Sequence, residues 1–269
     1  MINKESSVEE IKECILYSED EKQPYRIMIA KPKKPAPAEG YPIIYTLDGN
    51  AFFQTFQDAV RIQSVRPDVT GVEPAIVIGI GYPDERDFIR ERRFYDFTPT
   101  PVQSNPLNEK KWPKTGGAYL FLEFIEGTVK PYLNQYYSIN LNKQTLFGHS
   151  LGGLFSLYVL FTKTNVFQNY IIGSPSIWWN EKEILNEEST FLSSFKNMDE
   201  SVRVLIFVGS LEKDYMVTDA RELYQRLIAN SNKNIVSQFI ELNGENHLSV
   251  VLSVISSSLR FLNHQKCCI

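Results

Sequence analysis

Gln144-Thr-Leu-Phe-Gly-His-Ser-Leu-Gly-Gly153, with the run Leu154-Phe-Ser-Leu-Tyr-Val-Leu-Phe161 behind it, decides the fold. Gln144–His149 reads as a short strand. Leu151–Phe161 is apolar almost all round, as a helix packed inside a protein is. Between them, Gly148-His-Ser-Leu-Gly152 fits the pattern G-x-S-x-G. Its physics is a sharp strand-to-helix turn that lifts a serine hydroxyl into a cleft. The flanking glycines are expected because a Cβ there would clash in so tight a turn. Ser150 is therefore the candidate nucleophile.

Outward from this turn, strand and helix patterns alternate. Pro42–Leu47, Ala75–Ile80, Asn169–Ser174 and Val202–Ser210 are continuous apolar runs. Strands buried on both faces of a parallel sheet read this way. Ile235–Leu242 reads as a further strand, and Cys14–Ser18 with Tyr25–Ala30 as a leading antiparallel pair. Ala118, Phe121, Leu122, Ile125, Val129, Tyr132 and Leu133 follow i, i+3, i+4, i+7 spacing and predict one amphipathic helix. Asp219–Ala229 and Leu248–Leu262 predict two more. Lys31–Gly40 reads as a loop between strands. Tyr82–Thr115, about 34 residues with prolines at 83, 99, 101, 106 and 113, reads as a loop of a length that usually serves function. The alternation predicts a single α/β domain over residues 1–269, with a mostly parallel, doubly wound sheet and helices on both faces.

The 269 residues are 43% hydrophobic and 22% charged, an ordinary globular composition. No apolar run approaches the roughly 20 residues of a membrane span, so no membrane partner is expected. The first residues, MINKESSVEEIKEC, lack the apolar stretch of a signal peptide. A net charge of −4 weighs against nucleic acid as a partner. Cys14, Cys267 and Cys268 form neither a disulfide framework nor a metal-ligand spacing. The expected setting is a reducing cytoplasm, with no metal and no other cofactor.

A serine nucleophile needs a base. The chain has three histidines. His149 adjoins Ser150, but in this turn its ring should point away. His264 lies near the tail. His247, in Asn243-Gly-Glu-Asn-His247, follows the last strand and precedes the last helix, where this topology delivers a histidine. The base needs an orienting carboxylate between serine and histidine in chain order. Gly209-Ser-Leu-Glu-Lys-Asp214 supplies Glu212 as first choice and Asp214 as the alternative, while Asp219 looks like a helix N-terminal residue. An oxyanion would be met by the Leu151 N–H and by a donor in Asp48-Gly-Asn50, for which Asn50 N–H is the choice.

Several segments together resemble one family. Tyr45-Thr-Leu-Asp-Gly49, Arg93-Phe-Tyr-Asp-Phe-Thr-Pro99, Phe121-Leu-Glu-Phe-Ile125, Gly148-His-Ser-Leu-Gly-Gly153, Ser174-Pro-Ser-Ile-Trp-Trp179 and Glu245-Asn-His-Leu-Ser249 resemble the putative-esterase family of α/β-hydrolases. Within it, the likeness is to the ferric enterobactin and bacillibactin trilactone esterases. It covers about residues 10 to 262. The resemblance implies the α/β-hydrolase fold, Ser150 as nucleophile and His247 as base. It does not decide the acid, because some members of that branch work with a serine–histidine dyad.

The implied substrate is a small molecule, a catecholate trilactone siderophore. Its ferric form is a bulky aromatic trianion, which calls for cations and flat surfaces. Arg86, Arg90, Arg92 and Arg93 crowd the long loop, interleaved with Asp84, Glu85, Asp87 and Glu91. Arg86, Arg90 and Arg92 fit a solvated charge run. Arg93 is balanced between substrate contact and a pair with Asp96. Trp178 and Trp179 are placed on the cleft wall, one of them in the core. A carboxylesterase for a feruloyl or S-formylglutathione ester would share the fold and triad.

Overall fold

The computed structural model describes residues 10–20, 22–102, 112–195, 201–230 and 234–263. Residues 1–9, Pro106, His264, Cys267 and Cys268 lie outside them. The described residues form eight strands: β1 (Glu10–Tyr17), β2 (Pro24–Lys31), β3 (Tyr41–Leu47), β4 (Ile76–Gly81), β5 (Ile139–His149), β6 (Asn169–Gly173), β7 (Val202–Gly209) and β8 (Ile235–Leu242). They join one sheet in the order β1-β2-β4-β3-β5-β6-β7-β8. The leading pair is antiparallel, and β2 also meets β4 antiparallel; every pairing from β4 to β8 is parallel.

Strand order reverses around β3, which has β4 on one side and β5 on the other. In open α/β sheets the crevice at such a reversal, beyond the carboxyl ends of the strands, is where ligands bind. Among the described residues, nine α-helices pack on or around the sheet. They are α1 (Gly49–Gln63), α2 (Pro67–Thr70), α3 (Arg90–Asp96), α4 (Ala118–Phe124), α5 (Lys130–Tyr136), α6 (Leu151–Thr162), α7 (Ile184–Phe195), α8 (Asp214–Asn230) and α9 (Val250–Asn263).

Alternation along β7 sorts the two cores. Leu205 and Phe207 face Phe52, Phe56, Val250 and Val254 of α1 and α9. Val204, Ile206 and Val208 join the opposite cluster with α4, α6 and α8. In α6 all residues except Tyr158 and Thr162 are buried, as its uniformly apolar sequence requires. Among the described residues no helix is long and apolar enough to cross a membrane.

Three expectations change. The long loop Tyr82–Thr115 contains α3, whose seven residues are followed by Pro99 and Pro101. Proline density hides a helix that ends just before the prolines. The helix expected at Ala118–Leu133 runs on to Tyr136 but passes through a π turn at Ile125–Val129. Pro131 has no N–H to offer the carbonyl of Gly127, and the hydrogen-bond ladder shifts register ahead of it. The helix expected from Asp219 begins at Asp214, so Asp214 lies in its first turn and not in the preceding loop.

Candidate active site

The carboxyl ends of β3, β5, β6, β7 and β8 bring the chemistry together. Ser150 stands between β5 and α6 at φ 61°, ψ −118°, a conformation that costs an L-residue of order 1–3 kcal/mol. Surrounding bonds hold it there. Its N–H donates to the Gly173 carbonyl at 2.9 Å. Its carbonyl accepts from Leu154 at 3.0 Å and from Ser176 at 3.1 Å. A Cβ on Gly148 would lie 2.1 Å from the Gly152 carbonyl oxygen, so only glycine fits. Gly152 differs from the sequence expectation: a Cβ there would meet nothing closer than Asp48 Oδ2 at 3.6 Å. Gly153 is the second constrained position, where a Cβ would come 2.8 Å from the Gly173 oxygen.

His247 Nδ1 lies 2.6 Å from Glu212 Oε2. An ionised carboxylate can only accept, so Nδ1 carries the proton and Nε2 keeps its lone pair. The other oxygen, Oε1, accepts from Ser174 Oγ at 2.6 Å and from the Gly209 N–H at 2.8 Å. Burial pushes the Glu212 carboxyl up. The hydrogen bonds from His247, Ser174 and Gly209 outweigh burial and hold it below the ordinary carboxylate value. Asp214 is not the partner of His247 in this geometry.

His149 does not turn away from the site. Its ring lies 4.5 Å from the His247 ring and 5.9 Å from Phe52, and it bonds the His247 main chain. Burial first, then the charges of His247 and Arg93, hold its pKa well below the usual value, so it stays neutral. Leu151 and Asn50 each sit in the first turn of a helix, α6 and α1, where N–H groups have no intrahelical acceptor. The Asn50 side chain braces the end of β4, accepting from Tyr82 N–H and donating to the Tyr82 and Asp84 carbonyls.

The chain belongs to the putative esterase family. The family model matches residues 18–249. The ferri-bacillibactin esterase BesA of Bacillus subtilis is 45% identical over 257 residues, covering 93% of this chain and 88% of that protein. A siderophore enterobactin esterase of Emericella nidulans is 34% identical, covering 82% of each. The crystal structure of the BES protein from Bacillus cereus superposes with a TM-score of 0.93 at 50% identity, covering 96% of this chain and 97% of that one. The α/β-hydrolase fold and esterase activity follow from this membership.

In the esterase, Arg93 has a partner that sequence reasoning missed. Its Nε donates to Asp48 Oδ1 at 2.7 Å, and both side chains are buried or nearly so. Asp96, one of the two alternatives weighed for Arg93, accepts from Tyr25 and faces Arg92 at 3.6 Å. Burial pushes the Asp48 carboxyl up, and Arg93 pulls it back in part. The pair spans 45 residues, and nothing local in the sequence announces it. Trp179 is the core tryptophan, 2% exposed, which corrects its place on the cleft wall. Trp178 is half-buried beside it. Phe94 and Trp112 stack at 5.0 Å and abut Trp179, with the Arg90 guanidinium 4.7 Å over Phe94. Arg86 is a surface pair with Asp84, as the charge-run reading expects. Asp219 is buried and accepts from Lys182 at 2.6 Å.

Four outcomes are expected. Gly148→Ala should cost about 3 kcal/mol or more, an overpacking against main chain that cannot retreat. Gly152→Ala should change stability by less than about 1 kcal/mol; urea unfolding of both separates them. Arg93→Ala strands a buried carboxylate and should cost about 3–5 kcal/mol in the same assay. Because Arg93 braces the turn that carries Asn50, kcat/KM should fall equally for an anionic and a neutral ester at two ionic strengths.

Proposed function

We propose that Ser150, His247 and Glu212 are the triad of a serine esterase that cuts the ester bonds of a catecholate trilactone siderophore, iron-loaded or iron-free. One catalytic domain acting in the cytoplasm completes the reading. The observation that carries the triad is the 2.6 Å approach of Glu212 to His247 Nδ1, with the second carboxylate oxygen fixed and Ser150 held in a left-handed turn. The substrate class rests on the siderophore esterases at 45% and 34% identity. It is supported by Arg90, exposed at the start of α3, and by the aromatic wall of Phe94, Trp112 and Trp178.

Ser150 Oγ attacks an ester carbonyl while His247 Nε2 takes its proton. Glu212 holds Nδ1–H and stabilises the imidazolium that forms. The oxyanion is met by the N–H groups of Leu151 and Asn50, preplaced by two helix N-termini whose dipoles favour negative charge. Collapse expels an alkoxide, which takes the proton from His247. Water then attacks the acyl-serine with His247 again as base, and free Ser150 returns. Each cycle opens one ester and releases one hydroxyl and one carboxylic acid.

The test is product analysis with iron-loaded and iron-free trilactone siderophores beside simple aryl esters. Ring opening to the linear acid is expected at a kcat/KM far above that for aryl esters. Preference for aryl, feruloyl or thiol esters would transfer the substrate assignment. Ser150→Ala should lower kcat by about 10⁴-fold or more. A fluorophosphonate probe should label Ser150; a label elsewhere would sink the mechanism. Glu212→Gln should cost about 10²- to 10⁴-fold in kcat with the fold intact, and Asp214→Asn little. Near-wild-type turnover in both variants would leave a dyad.

A further inference from the structure

Ser174 follows β6 directly, in a backbone that only its surroundings explain. It has φ 41°, and the residue is fully buried. A buried hydroxyl is tolerated when it is bonded, and this one donates to Glu212 Oε1 at 2.6 Å. Its N–H donates to the Phe207 carbonyl of β7 at 2.8 Å. The residues on either side grip the nucleophile: Gly173 O takes the Ser150 N–H, and the Ser176 N–H bonds Ser150 O. One turn, Gly173–Ser176, therefore touches both ends of the candidate triad. Ser174 is the side-chain donor to Oε1, and its second donor is the Gly209 main chain.

From this geometry we infer that Ser174 is a positioning residue, whose hydroxyl aims the Glu212 carboxylate at His247 and locks it to the turn that fixes Ser150. The inference rests on the triad proposed above. Glu212 reaches His247 through Oε2 alone, so rotation of the carboxylate about its last bond would break that contact. With two donors on Oε1, rotation loses three hydrogen bonds at once. With Ser174 removed, Oε1 keeps only the Gly209 N–H, and the buried anion is free to turn. Coupling of this kind also accounts for a non-glycine residue at positive φ. Glycine would relax the backbone but would bring no hydroxyl.

The experiment is a double-mutant cycle of Ser174→Ala with Glu212→Gln, read in kcat, KM and melting temperature. Ser174→Ala in the wild-type background should lower kcat by about 10- to 100-fold, the scale of one hydrogen bond to a charged group, with KM unchanged. In the Glu212→Gln background the same substitution should change kcat by less than about twofold, since a residue acting through Glu212 has nothing left to act on. Equal losses in both backgrounds, or a loss confined to KM, would show a packing role and overturn the inference. No loss in the wild-type background would overturn it too. If Glu212→Gln alone leaves kcat at the wild-type level, the acid assignment fails and the inference with it. If Glu212→Gln is costly and Ser174→Ala is not, only the inference fails. Ser174→Gly, for which φ 41° is relaxed, replaces the alanine variant should that one misfold, and the same pattern is expected of it.

Discussion

Ser150 is kept in a left-handed backbone by bonds that arrive from three directions, and most of the site's architecture follows from that constraint. The strand β5 must stop at His149, and α6 must start at once. Gly148 must lack a side chain because α6 turns back over it. Gly153 must lack one because β6 comes alongside. The β6 turn then has to lie where it does, and the loop after β7, which bears Glu212, is placed by bonding to that same turn. A strained residue persists only where its surroundings over-determine it. Here the over-determination is shared among three successive parallel strands.

The sheet, its parallel core and the nucleophile turn were legible because their signals are local. Apolar runs of strand length, a uniformly apolar helix and two glycines around a serine each occupy a few residues. Glu212 was legible for a related reason: it stands three residues beyond Gly209, and Gly209 N–H bonds its carboxylate. His247 followed from its place between β8 and α9. The π turn, the helix α3 among prolines and the early start of α8 were not legible. Each depends on a neighbour's packing or on a missing N–H, not on periodicity.

Long-range side-chain pairings were the other gap. The loop sequence offered Arg93 an obvious neighbour in Asp96, three residues away. The fold gave Asp96 to Tyr25 and Arg92, and gave Arg93 to Asp48. Charge alternation in a sequence does not reveal which pairs become buried. Burial does, and burial is a property of the finished sheet. His149 illustrates the same point. Its neighbour in sequence is Ser150, yet its ring meets His247, some hundred residues later. The second glycine of the motif, Gly152, has room for a Cβ, while Gly153 just outside the motif does not.

The Arg93–Asp48 contact also shapes how a charged ligand would approach. Viewed from a distance, the pair is a dipole and not a charge, and its field fades faster than an ion's. The chain as a whole carries −4. The net charge therefore does not by itself draw an anion toward the protein. Around an exposed guanidinium such as Arg90, attraction acts within about a Debye length, roughly 8–10 Å. There the Arg90 guanidinium lies 4.7 Å over the Phe94 ring, so the charge nearest an arriving anion is backed by an apolar face and not by a carboxylate.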